Sequence, residues 1–130
     1  MNNNFNPYKA YKQQSVMTMT PGGMLTMLYD GLLKELSLAQ QAFTKNDYEE
    51  INRSLQKAQR ILHHLQVTLE PQYEISKSLS ALYDYFMRTA MQANMKKDPA
   101  GLPEIIQMIT ELRDVYSEAD RKTRAAEYAG

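Results

Sequence analysis

Apolar residues return at helical intervals along most of this chain. At roughly 100° per residue, Leu25, Leu28, Leu32, Leu36, Ala39 and Phe43 fall within one narrow sector. Tyr29 and Leu33 widen that sector on one side, Met24 and Ala42 on the other. A stripe this broad needs more than one neighbour to cover it. Thr20-Pro21 opens this first helix, threonine as N-cap and proline with its φ already helical. Lys45-Asn46-Asp47 closes it with turn chemistry. Asp47, with Glu50 three residues on, begins a second helix, whose stripe is Ile51, Leu55, Ala58, Leu62, Leu65 and Leu69. It stops before Pro71, whose ring disfavours the α conformation at Glu70.

A third helix is predicted from Gln72 to Lys96, with Ile75, Leu79, Leu82, Phe86, Ala90 and Ala93 as its core stripe. Met87, Met91 and Met95 stand opposite that stripe, so the second half of this helix is apolar on two faces. A fourth starts near Pro103 and carries Ile105, Ile109, Leu112, Tyr116 and Ala119, with Ile106 alongside. Short connections force antiparallel neighbours, so the expected fold is all-α, an antiparallel up-down-up-down four-helix bundle over residues 20–119. Residues 1–19, rich in Asn, Gln and Ser, read as a flexible N-terminal arm with Phe5, Tyr8 and Tyr11 at every third position. Residues 120–130 favour helix but lack an apolar face, and read as a frayed C-terminal tail. Leu28-Tyr29-Asp30 recurs as Leu82-Tyr83-Asp84, and Lys45-Asn46-Asp47 as Lys96-Lys97-Asp98, a faint echo between the two halves.

Composition narrows the function classes. The 130 residues carry 15 basic and 15 acidic side chains, a formal charge of +0, which argues against a nucleic-acid partner needing a basic face. No cysteine is present, so disulfide and thiol chemistry are excluded. The first residues show no signal-peptide pattern and no apolar run reaches the roughly 20 residues of a membrane span, which makes the cytoplasm the expected location without membrane insertion. Nine methionines and nine tyrosines favour adaptable, amphipathic contact surfaces.

Catalysis fails on inventory. His63 and His64 are adjacent on one helix and diverge by about 100°, and Arg60 and Ile61 stand where a carboxylate-bridged metal bundle needs Glu. Gly22-Gly23 has neither the upstream strand nor the following Lys-Ser or Lys-Thr of a phosphate loop. No catalytic residue, metal or cofactor is expected. Asp30 and Asp84 each precede a cation by four residues, Lys34 and Arg88, and read either as exposed helical ion pairs or as acids bordering a binding groove. Met27 and Leu38 project off the core sector of the first helix, Met91 and Met95 off that of the third. Surplus apolar surface of this kind suits an amphipathic helix from another chain.

Thr18-Met19-Thr20-Pro21, Leu25-Thr26-Met27-Leu28-Tyr29-Asp30-Gly31, Leu82-Tyr83-Asp84-Tyr85 with Arg88, Ala93-Asn94, Lys97-Asp98 and Leu112-Arg113-Asp114 together resemble the flagellar secretion chaperone family FliS. The likeness spans residues 8–119 in order, with the arm's Tyr8 and Tyr11 included; Gly23 and Tyr116 depart from the usual pattern. The resemblance implies a helical bundle that binds the carboxy-terminal segment of flagellin in the bacterial cytoplasm and delivers it to the cytoplasmic domain of the flagellar export gate. It also implies that the arm can lie over the client surface. The two readings together put client contacts at Tyr8, Tyr11, Met27, Tyr29, Asp30, Leu33, Leu38, Asp84, Met87, Arg88, Met91 and Met95. The residues themselves also fit a bundle-type regulatory adaptor for a signalling or transcription partner, and leave monomer and dimer both open.

Overall fold

The computed structural model describes residues 21–129, with side chains for residues 23–127. Four helices and no strand occur among them: α1, Pro21–Thr44; α2, Tyr48–Val67; α3, Glu74–Lys96; α4, Leu102–Ala129. They form the antiparallel bundle that the spacing predicts. Each helix packs on its neighbours in a ring, α1 on α2, α2 on α3, α3 on α4 and α4 on α1. This leaves α1 diagonal to α3.

Two connections share one construction. Asn46 and Lys97 both adopt left-handed backbone with φ 51°. The next residue then turns its N–H back onto the helix: Asp47 N donates to the Ala42 carbonyl at 2.9 Å, and Asp98 N to the Ala93 carbonyl at 3.1 Å. Carbonyls orphaned at a helix end are satisfied in this way. Each aspartate also caps the next stretch of chain, Asp47 Oδ1 accepting from Glu50 N at 3.2 Å and Asp98 Oδ1 from Ala100 N at 2.9 Å. The sequence echo between the Lys-Asn-Asp and Lys-Lys-Asp triplets is thus a repeated helix stop.

The core follows the stripes closely. Leu32, Leu36 and Ala39 of α1, Ile51, Leu55, Ala58, Leu62 and Leu65 of α2, Phe86 and Ala90 of α3, and Ile105 and Ile109 of α4 are fully buried. Three boundaries differ. α2 ends at Val67, so Leu69 packs on the core from the connection rather than from the helix. Ile75, placed in the core by its period, is 58% exposed, because the buried face of α3 runs through Ser76, Leu79, Tyr83, Phe86, Ala90 and Ala93. Helix α4 runs on to Ala129, past Asp120 where its stripe gives out, and the residues from 121 to 127 are solvated on every side.

Candidate functional site

Diagonally across the bundle, the hydroxyls of Tyr29 and Tyr83 share a hydrogen bond of 2.6 Å, and the Tyr116 ring packs on Tyr29 with centroids 5.9 Å apart. Tyr29 has no exposed surface, which corrects its assignment as a client contact: it is a core residue whose hydroxyl is satisfied by a partner two helices away. Burial pushes the phenols of Tyr29, Tyr83 and Tyr116 above the usual tyrosine range, so these groups stay neutral.

Neither proposed one-turn ion pair forms. Asp30 instead accepts from Arg113 Nε of α4 at 2.7 Å, and Asp84 accepts from Gln66 Nε2 of α2 at 2.7 Å. Gln66 also donates to the Ser80 carbonyl and accepts from its hydroxyl. Both aspartates therefore tie helices together, because a partner on a neighbouring helix lies within reach of each. Arg88 is exposed.

The remaining predicted contacts separate by helix. Leu33 and Met87 are half-buried and packed against the core. Met27 and Leu38 are half-buried on α1. Met91 and Met95 of α3 are 43% and 77% exposed. The outward faces of diagonal helices point apart, so the α1 pair and the α3 pair do not line a single groove. Met27 belongs to a groove of about 600 Å³ over the outer face of α1, together with Gly31, Ile61, Lys57 and Arg124. Glu35, 2% exposed, lies at its edge with Lys57 Nζ at 3.4 Å and Arg53 at 3.5 Å. Tyr8 and Tyr11 lie outside the described residues.

Periodicity alone did not single out the exposed apolar residues on two neighbouring helices, α3 and α4. These helices are the least packed neighbours in the ring. The Tyr85 hydroxyl of α3 donates to the Glu104 carboxylate of α4, and a Cβ on Gly101 would sit 2.9 Å from Thr89 Cγ2. Ile75 lies ten residues back along α3 from Tyr85, and Val115 eleven residues on along α4 from Glu104. At 1.5 Å per residue both are about 15 Å along their helices from that contact. They are 58% and 63% exposed, and Leu112 and Tyr116 beside them are half-covered. The available signal was Ile75 and Ala119, stripe positions that the bundle leaves in solvent.

A family model described as "Flagellar protein FliS" matches residues 3–123 of this sequence. The chain belongs to the FliS family. It is 44% identical over 119 residues to the flagellar secretion chaperone FliS of Bacillus subtilis (strain 168), covering 92% of this chain and 90% of that one. It is 31% identical to the flagellar secretion chaperone FliS of Escherichia coli (strain K12), covering 85% and 87%. A solved structure titled "Crystal structure of flagellar chaperone from bacteria" superimposes with a TM-score of 0.74 over 87% of this chain and 97% of that one, at 21% identity, and shares the fold. Among the described residues of this FliS-family chain, no group of three or more His, Cys, Asp or Glu is placed to hold a metal. No described helix is long and apolar enough to cross a membrane.

Proposed function

We propose that this FliS-family chain is a cytoplasmic export chaperone that binds the disordered carboxy-terminal segment of flagellin as helices along its apolar strips. Held in this way, the segment is unable to join another subunit. The chaperone then delivers it to the cytoplasmic domain of the flagellar export gate. The supporting observation is the exposure of large hydrophobic side chains on two helices of the bundle, Ile75, Met91 and Met95 on α3 and Val115 on α4. Surface of this kind on a small helical protein is a recognition surface for another chain. Ordering a disordered client costs roughly 2–5 kcal/mol of the gross interaction, so a single strip is a poor anchor and a client wrapped over several is favoured. Methionine suits such strips, since a flexible thioether adapts to helices of differing sequence.

The test is a pull-down and titration with full-length flagellin and with flagellin lacking its carboxy-terminal segment. Binding of the full-length protein alone is expected. Equal binding of both would remove this reading.

A further inference from the structure

All the sulfur of this chain is thioether, nine methionines and no cysteine. Thiols would draw an oxidant first, and none is present. The six methionines with described side chains divide by their surroundings. Met27, Met87 and Met108 are half-buried, and the last two pack against the core. Met24, Met91 and Met95 are open, at 40%, 43% and 77% exposure. On α3 this makes a ladder. Met87, Met91 and Met95 follow at steps of four along one side of the helix, and exposure rises from each to the next.

We propose that Met91 and Met95 form a reversible oxidation site through which peroxide weakens the hold of this chain on its client. The inference rests on the chaperone reading and adds the regulation of one of its apolar surfaces. With hydrogen peroxide the step balances simply: a sulfur lone pair takes one peroxide oxygen, the O–O bond breaks, the sulfur gives up two electrons and water leaves. The sulfoxide formed is polar where the thioether was apolar. Burying it against an apolar client leaves its oxygen without a donor, which opposes binding. Neither side chain belongs to the buried core, so the fold tolerates the change. Methionine sulfoxide reductases reverse it, the oxygen leaving as water while a thiol pair becomes a disulfide.

The experiment uses the full chain. It is treated with hydrogen peroxide, the peroxide is destroyed with catalase, and the oxidised residues are mapped by peptide mass spectrometry. A synthetic peptide of the flagellin carboxy-terminal segment is then titrated by fluorescence anisotropy. Sulfoxide is expected at Met95 and Met91 ahead of Met87 and Met108. Affinity is expected to fall several-fold at unchanged circular dichroism and melting temperature, and to return after treatment with methionine sulfoxide reductases and dithiothreitol. Met91→Leu with Met95→Leu should hold its affinity through the peroxide step, which separates these two residues from the other methionines. Met91→Gln with Met95→Gln, polar at both positions without any oxidant, should reproduce the loss. Oxidised wild-type protein that binds like the untreated protein would overturn the inference and leave the chaperone reading standing, and so would a Leu variant as sensitive to peroxide as the wild type. No binding by the untreated protein would overturn both.

Discussion

The hydroxyls of Tyr29 and Tyr83, on helices that stand diagonally across the bundle, are 2.6 Å apart and buried. One donates and the other accepts, and together they fix the relative register of α1 and α3. Both belong to the Leu-Tyr-Asp triplets that recur in the two halves of the chain, and the aspartates next to them, Asp30 and Asp84, bind the neighbouring helices α4 and α2. The repeat therefore has a common structural role: tyrosine inward to the diagonal, aspartate sideways to a neighbour.

Replacing one member of the pair leaves the other hydroxyl buried without a partner, which costs about 1–3 kcal/mol. Tyr29→Phe and Tyr83→Phe are each expected to destabilise the protein by that order. The double substitution, which removes both polar groups together, is expected to cost clearly less than the sum. Urea melts of the four proteins of this double-mutant cycle measure the difference.

The same tyrosines set an alkaline limit. Their folded pKa values lie above the unfolded value near 10, burial being the main cause. Below about pH 10 both folded and unfolded chains keep these protons, and the contribution to stability is intact. As pH rises past about 10 the unfolded chain ionises first, and stability falls until the folded phenols ionise in turn. Melting temperatures recorded from pH 8 to 11.5 are expected to hold level and then drop; the Tyr29→Phe/Tyr83→Phe protein should drop less steeply.

Gly101 allows the α3–α4 connection to approach Thr89, whose hydroxyl is held on the Tyr85 carbonyl at 2.9 Å. A methyl at 101 would force Thr89 to give way or the connection to lift. Gly101→Ala is accordingly expected to lower stability by about 1–3 kcal/mol, as overpacking does elsewhere. Gly101→Ala combined with Thr89→Ser, which removes the opposing methyl, should regain most of the loss in the same melt.

Met91 and Met95 make the reverse case. Their exposure means that Met91→Asp with Met95→Asp should change the melting temperature little. Binding of flagellin should fall roughly tenfold, about 1.4 kcal/mol. A large drop in melting temperature with unchanged affinity would show them serving the fold instead.

The helical period carried the architecture on its own. Four stripes, two turns of similar wording and the helix cap at Asp47 specify which faces are buried, because hydrophobic burial and capping act within a few residues along the chain. The motifs quoted from residues 8 to 119 carried the family as well. Partnership across the bundle was beyond reach of that reading. Asp30 finds Arg113 and Asp84 finds Gln66 rather than the cations one turn away, and Tyr29 finds Tyr83, since side-chain pairing depends on which helix edges come within about 3 Å. The exposure of Ile75 was equally out of reach: a stripe shows that a residue is fit for burial, but only the packed bundle decides which side of the stripe is covered, and on α3 that side carries Ser76, Leu79 and Tyr83. Local periodicity is written in the chain, whereas the angle between two helices is settled by all the contacts of the packed bundle at once.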